Sequence, residues 1–549
     1  MYKKCTALLT TLLLAAQLAQ AAPDIPGIPL PGDEALHQQL AQPSLGCVSP
    51  AVELDAFALE ALSAFYRQLG YQRVWAADAR LEKLLGQLAQ LVDDGLEPAN
   101  YQFASLRRLA GSPASHPKSS ACTDVLATHA YLQALRHLAY GQLDQARVEP
   151  LWRSQNSRAP ATPVLFPAVA VTYLDDLPAA FAAARPDFEP YRALRHAYAE
   201  LRRNPSRSWR RVPTGDLLRP GMADERVPLL EQRLAAEGYL TEPTRSGSDR
   251  QRYTPQLVEA VKRFQVRHFL DDDGVVGPAT LAELNVTPAE RQEQVRANLE
   301  RFRWLAREME PTLLLVDVAG AQLTLFRDRQ PRWQTRTQVG RPARPTPLLK
   351  SQVTHLTLNP TWTIPPTILR EDKLPQIQRN IGFLANQNLK VIDYQGKEVN
   401  PHSVDWHNPS GIMLRQDPGP HNPLGRIAIR FPNPFAVYLH DTPSQHLFAK
   451  ETRTLSSGCV RVERAMQLTD LLLEGASPTE RQRFEEILAS GKTRNLNLPR
   501  PVPILLAYWT AQVDDGGQLT FRPDIYGYDT KIIAALKAPA LSGERPPAG

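Results

Sequence analysis

The sequence predicts a multidomain α+β protein: a helical N-terminal scaffold, a small three-helix unit, and a C-terminal β-sandwich-like domain with an inserted capping segment. Three observations predict it. The chain has 549 residues, 43% hydrophobic and 22% charged, which at roughly 100 to 200 residues per domain makes about three folded units. Apolar residues follow helical spacing from about Ser49 to Tyr198 and again within Pro220 to Val286. From Thr312 onward the period changes to that of strands. An ordinary apolar fraction and only 29 glycines exclude a disordered or fibrous chain. The 49 prolines, about 9% against a usual ~5%, favour ordered loops and Pro-punctuated strands.

The N-terminus reads as an export signal. Lys3 and Lys4 precede an apolar run from Ala7 to Ala16, and Ala19-Gln20-Ala21 follows as a small-x-small cleavage site. The run is about half of the ~20 residues a spanning helix needs, and Thr10 and Thr11 interrupt it. Residues 1–21 are therefore expected to be removed and 22–48 to form a Pro-rich leader. No later stretch reaches about 18 unbroken apolar residues, so no transmembrane anchor is expected after cleavage. The net charge of +6 falls by two when Lys3 and Lys4 leave, and basic residues interleave with acidic ones nearly everywhere. That pattern argues against nucleic acid as a partner and suits an anionic polymer.

In the scaffold, residues 49–219, Leu59, Leu62, Phe65, Tyr66 and Leu69 fall at three- and four-residue spacings, as do Leu81, Leu84, Leu85, Leu88 and Leu91. Gly70 and Gly95 are placed to end those helices. A bridge between Cys47 and Cys122 would close a loop of about 75 residues and contribute roughly 4.5 kcal/mol on the chain-entropy model. With Cys5 lost in the signal, Cys459 remains as an odd thiol in an exported chain.

The three-helix unit spans 220–286. Its helices carry Leu229, Leu230 and Leu234, then Leu257, Ala260, Val261 and Phe264, then Leu281 and Leu284, with turns at Gly238-Tyr239 and Asp273-Gly274. Arg233-Leu234, Gly238-Tyr239, Phe264-Gln265, Asp273-Gly274-Val275, Gly277, Thr280 and Leu284-Asn285 resemble the common peptidoglycan-binding domain of exported cell-wall enzymes. Nearly all of these are core or turn positions, so they mark the fold more than the ligand.

Residues 287–549 form the third unit. Leu313 to Val318 and Gln322 to Phe326 flank the turn Ala319-Gly320-Ala321 as a hairpin. Further strands are expected at Val353 to Leu358, Arg426 to Arg430, Ala436 to Leu439, Val502 to Trp509 and Gln518 to Phe521, with the inserted segment at 371–413.

Cys459 stands in Leu455-Ser456-Ser457-Gly458-Cys459-Val460-Arg461, and His440 precedes it by 19 residues in Tyr438-Leu439-His440-Asp441. A thiol is a poor nucleophile until it becomes thiolate, and an imidazole base is the usual means of activating it. Gly458 would let backbone N–H groups converge as an oxyanion hole. Arg461 would share a strand face with Cys459 and could hold a carboxylate bidentately. A metal site is not indicated: His402, His407 and His421 lack a ligand spacing such as HExxH. In a papain-like peptidase the cysteine precedes the histidine and opens a helix, whereas here the order is reversed and the context strand-like. A non-catalytic wall-binding scaffold would have no use for the Cys459/His440 pair.

His440-Asp441-Thr442 and Ser456-Ser457-Gly458-Cys459-Val460-Arg461, downstream of Asn422-Pro423-Leu424-Gly425, closely resemble the YkuD-type L,D-transpeptidase domain. The chain departs from that pattern at Ser457, where many members carry a second histidine. The layout, together with Phe521 to Tyr526, is similar to the long periplasmic subclass of these enzymes. The resemblance implies an acyltransferase of the periplasm acting on tetrapeptide stems of peptidoglycan. Cys459 is then the nucleophile, His440 the base, and Gly458 and Cys459 the oxyanion donors, with Tyr438 beside them. Arg461, Tyr438, Ser456, Ser457 and Trp362 are the substrate-binding set. No cofactor is implied, other wall-synthesis enzymes are admissible partners, and carbapenems are expected to acylate Cys459. Segment 371–413 is the natural lid. Formation of 3→3 cross-links, protein anchoring and D-amino acid exchange share one acyl-enzyme, and a wall peptidase or a non-catalytic scaffold stay open as alternatives.

Overall fold

The structure, a computed structural model, describes residues 33–75, 79–111, 117–157, 166–204, 208–240 and 248–538. The expected signal peptide and the first part of the leader lie outside the described residues. The rest of that leader is built into the scaffold. Asp33 caps helix α1 (Glu34–Leu40) by accepting from the N–H groups of Ala35 and Leu36, and Leu36 and Leu45 are fully buried. The helix α2 (Ala56–Gln68) is capped by Asp55, and both helices pack on the long helix α3 (Pro117–Tyr140). Tyr66 donates to Asp124 at 2.7 Å, and Trp75 Nε1 donates to Thr128 at 2.7 Å, so these four buried polar side chains are paired. Cys47 and Cys122 are disulfide-bonded with Cα atoms 6.0 Å apart, which ties the chain start to α3. Helix α4 (Glu189–Arg203) completes the scaffold.

The three-helix unit comprises α5 (Val227–Ala236), α6 (Pro255–Arg267) and α7 (Pro278–Leu284) around Leu230, Leu234, Leu257, Val261, Phe264 and Leu284. Its core begins before residue 220. Val212 is buried in it and exchanges two hydrogen bonds with the Asn285 side chain, at 2.8 and 2.9 Å. Gln265 donates to Val275 O and Thr280 and accepts from Gly274 N–H, which explains why that Phe-Gln pair sits where it does.

The next helix, α8 (Pro288–Glu308), opens with a capping box of Thr287 and Glu290 and is buried along most of its length despite being rich in arginine and glutamate. It touches α3, α4 and the C-terminal helix α9 (Tyr528–Lys537).

The C-terminal unit is a ten-stranded sheet wrapped around one apolar core. Its strands are β1 (Trp152–Arg153), β2 (Leu313–Asp317), β3 (Gln322–Arg327), β4 (Gln330–Gly340), β5 (Leu349–Leu358), β9 (Ile427–Arg430), β10 (Leu439–His440), β11 (Thr454–Ser456), β12 (Val460–Val462) and β13 (Arg494–Ala507). The order is β9-β10-β12-β4-β3-β2-β13-β5-β1, with β11 on β4. Strand β9 also pairs with β5, so the sheet closes on itself instead of lying as two open layers. The scaffold supplies β1, which runs parallel to β5 with Trp152 opposite Leu349.

The insertion is larger than expected. Strands β6 (Trp362–Thr363), β7 (Leu389–Asp393) and β8 (Ile412–Gln416) form a separate sheet in the order β6-β8-β7. Ile364, Ile377, Leu384, Val391 and Leu414 form its own core. The cap therefore runs from Trp362 to Gln416 and contains a sheet, where the sequence suggested helix followed by loop.

One prediction concerns the bridge. Alkylation of the unfolded, unreduced chain from residue 22 onward is expected to label only Cys459, and reduction to expose three thiols; mass spectrometry reads the count. Losing the bridge is expected to cost about 4.5 kcal/mol of stability, read by denaturant unfolding.

Candidate active site

Strand alternation builds the site. Leu439, Val460 and Val462 point into the core and are fully buried, so Tyr438, His440, Cys459 and Arg461 share the opposite face. Strands β10 and β12 pair in parallel with His440 opposite Arg461, and Val460 N–H donates to Tyr438 O at 3.1 Å. This register brings two segments 19 residues apart in sequence to one point. They line a cavity of about 1250 Å³ together with Gly458, Ser456, Ser457 and Trp362.

His440 Nδ1 lies 2.6 Å from Asp441 O. A carbonyl only accepts, so Nδ1 carries the proton and Nε2 is left as a base. Burial, and then the charge of Arg461, pushes the imidazole down to about 3. Burial also pushes the half-buried Cys459 thiol up, against the opposing effects of Tyr438 and Arg430. Both shifts favour the neutral forms, thiol and imidazole, over a thiolate–imidazolium ion pair. Cys459 Sγ faces Ala436 O at 3.9 Å.

Two residues do something other than the sequence suggested. Gly458 N–H donates to Ser456 Oγ at 3.1 Å, so in this structure it is engaged within its own loop and is not a free oxyanion donor. What the position requires is the φ of +112°, which glycine adopts without penalty. Ser456 is buried, and its hydroxyl donates to Cys459 O at 2.5 Å while accepting from Gly458. It shapes the loop that carries Cys459, and its hydroxyl is engaged within that loop. Ser457 is exposed and accepts from Arg344 Nη1 at 3.1 Å.

Sequence reasoning missed four supporting residues. The Arg430 guanidinium stacks 3.8 Å above the Tyr438 ring. Arg344 forms ion pairs with Asp372, at 2.7 Å, and Glu371, both on a π-helical turn of the cap. Thr346 Oγ1 donates to Gly458 O at 2.9 Å, and the Tyr526 hydroxyl donates to Gly340 O at 2.6 Å, bracing the loop from behind. The signal for Arg430 was its place at the end of the alternating run Ile427-Ala428-Ile429-Arg430, and for Arg344 a pair of arginines in a Pro-rich loop. Gly425, noted in sequence, packs so closely on Asp441 that a Cβ there would lie 2.3 Å from its carboxylate.

Among the described residues four cations line the cavity, Arg344, Arg430, Arg461 and Lys531, against one carboxylate, Glu149. Such a wall favours an anionic ligand. Among the described residues no group of three or more His, Cys, Asp or Glu side chains could hold a metal ion, and no helix is long and apolar enough to cross a membrane.

Residues 311–480 match the family described as "L,D-transpeptidase catalytic domain", 223–284 that described as "Putative peptidoglycan binding domain", and 60–197 that described as "Scaffold domain". The chain thus carries a YkuD-type L,D-transpeptidase catalytic domain preceded by a scaffold and a peptidoglycan-binding domain. It is 36% identical over 225 residues to a Haemophilus influenzae protein named "Putative L,D-transpeptidase". That match covers 40% of this chain and 45% of the relative, less than half of its length. Among solved structures, an L,D-transpeptidase from Mycobacterium smegmatis is similar at 14% identity and a TM-score of 0.16, covering 36% of this chain and 58% of that one. One from Xylanimonas cellulosilytica is similar at 16% identity and a TM-score of 0.16, covering 54% and 99%.

The electrostatics predict a pH profile. Alkylation of Cys459 by iodoacetamide should rise steadily with pH to an inflection above the ordinary thiol range. A plateau between about pH 4 and 7, the mark of an ion pair stable across that window, is expected to be absent.

Proposed function

We propose that the chain is a peptidoglycan L,D-transpeptidase of the periplasm, exported by residues 1–21. The observation that carries this reading is the pairing of β10 and β12 within the matched catalytic domain, which sets Cys459 and His440 on one face of a cation-lined cavity. Cys459 Sγ attacks the carbonyl of the third residue of a tetrapeptide stem while its proton passes to His440 Nε2. The C–N bond to the terminal D-alanine breaks, the proton goes to the leaving amine, and a thioester remains. The side-chain amine of a second stem then attacks the thioester, the C–S bond breaks, and the thiol is regenerated with a 3→3 cross-link formed. The Tyr438 hydroxyl and Cys459 N–H are assigned as the donors to the oxyanion, since Gly458 N–H is occupied. Arg461 is held by Gln338 at 3.0 Å and is assigned to a stem carboxylate.

The cap shields the thioester from water. Its tether supports this: Asp372 is held by Arg344 and, at 3.2 Å, by Arg341, and Arg344 also reaches Ser457 beside the nucleophile. In this chain Ser457 serves as an anchor for Arg344, the arginine that tethers the cap.

Incubation with disaccharide tetrapeptide, followed by mass spectrometry, tests the assignment. Wild type should release D-alanine and form dimers. Cys459→Ala should abolish both, by at least about 10⁴-fold, and His440→Ala should slow both by about 10²- to 10⁴-fold. Cleavage without dimers would favour a peptidase. A carbapenem should add covalently to the wild type and not to Cys459→Ala. Arg344→Ala should shift the product ratio from cross-linked toward hydrolysed stems, and an unchanged ratio would show that the tether does not govern water access.

A further inference from the structure

The cavity has two unlike flanks. On one side stand the cap residues Trp362, Pro365 and Ile368, held by the Arg344 tether. The other side is not made by the catalytic domain alone. Strand β1 of the scaffold is stitched to the edge of the catalytic sheet, with Trp152 N–H donating to Leu348 O at 3.2 Å and Ser154 N–H donating to Lys350 O at 3.0 Å. That addition carries Glu149, Leu151 and Trp152 into the cavity wall, where they meet Phe435, Tyr528 and Lys531. Helix α9, which bears Lys531, is fixed by Asp529 on Arg301 and by buried Ile532 and Leu536.

The cations on the two flanks differ in commitment. Arg344 is tied to two carboxylates, Arg461 to Gln338, and Arg430 lies on Tyr438. Glu149, the sole carboxylate of the wall, is occupied by Arg301 at 2.8 Å. Lys531 is exposed and makes no hydrogen bond or ion pair with any described residue. In the same cavity wall, Phe435 is 46% exposed and stands edge-to-face with half-buried Trp152 at 6.0 Å, an open aromatic corner.

We propose that this scaffold-built flank is the seat of the second stem, the acceptor, with Lys531 pairing its carboxylate and Trp152 and Phe435 covering its methylene chain. The proposal rests on the transpeptidase reading. An amine that attacks the thioester must arrive while the donor is still covered, hence from the side opposite the tethered cap. The attacking amine of a diaminopimelate residue shares its carbon with a carboxylate and hangs on a short methylene chain, which matches a cavity wall that offers both an uncommitted ammonium and an open aromatic pair. Lys531 is a positioning residue in this scheme. It fixes the acceptor and takes no part in bond making.

Steady-state kinetics with two substrates test it: disaccharide tetrapeptide as donor and an isotope-labelled tripeptide stem, which has no D-alanine to lose, as acceptor only. Lys531→Glu should raise the acceptor KM about five- to tenfold and the donor KM by less than twofold. Lys531→Arg should restore the acceptor KM, and Phe435→Ala should raise it as well. An unchanged acceptor KM in Lys531→Glu, or equal rises in both KM values, overturns the assignment. Failure of the wild type to release D-alanine from the donor overturns the transpeptidase reading itself, and the acceptor site with it.

Discussion

Everything in this chain is arranged around the buried charges of α8. Arg301 reaches Glu149 of the scaffold and Asp529 of the C-terminal helix. Arg303 pairs with Glu300 at 2.7 Å and donates to Asp94 O, while Arg296 donates to Gly95 O at 2.8 Å. Arg291 pairs with Glu283 of the three-helix unit at 2.5 Å. Asn298 exchanges hydrogen bonds with Thr510, at 2.9 and 2.8 Å. One helix thus touches all three units through groups that cannot be left unpaired. Burial alone would lower the Arg301 guanidinium, yet Glu149 and Asp529 more than reverse it. Such pairs add little net stability, since desolvation consumes most of the Coulomb gain, but breaking one costs about 3 to 5 kcal/mol. Their effect is specificity of arrangement: a rotation of the scaffold against the catalytic sheet would strand several charges together.

That fixed arrangement is what lets a remote domain shape the active cavity. Glu149 is both a partner of Arg301 and a wall residue, and β1 begins three residues later. Lys350, opposite Arg153 on β5, pairs with Glu308 at the end of α8. The scaffold edge is therefore anchored at both ends of a short strand that, with two residues, could not hold its register alone.

The β10/β12 site was legible because chemistry there is local in sequence. Cys459 and His440 sit in short strands whose alternation with Leu439, Val460 and Val462 can be read directly, and the odd cysteine draws attention to itself. The scaffold helices with clean apolar stripes were legible for the same reason. Helix α8 was not, because its buried faces are charged and carry no apolar period; pairing, which sequence does not display, is what makes them buriable. Strand β4 was missed likewise: Gln330 to Gln334 is largely exposed and polar, and only the end of the strand enters the core. The cap extended past its expected limits because its closing strands, β6 and β8, lie far apart in sequence and pair only once folded. The roles of Gly458 and Ser456 turned on one hydrogen bond, Gly458 N–H to Ser456 Oγ, that no spacing reveals.

If the site is the proposed transpeptidase centre, shifts that favour a neutral thiol and imidazole also bear on how it would separate transfer from hydrolysis. With His440 pushed far below neutrality, it is a weak base toward any isolated proton and acts well only when proton transfer is coupled to bond making. For the proposed attack by Cys459 that coupling would be met once the assigned oxyanion donors take up charge. For the second step the competing nucleophiles are water and an amine. An amine attacks a thioester without prior deprotonation if it arrives neutral, whereas water needs a base throughout. On the proposed transpeptidase reading, a depressed imidazole would therefore disfavour water more than an amine that arrives neutral, independently of the cap.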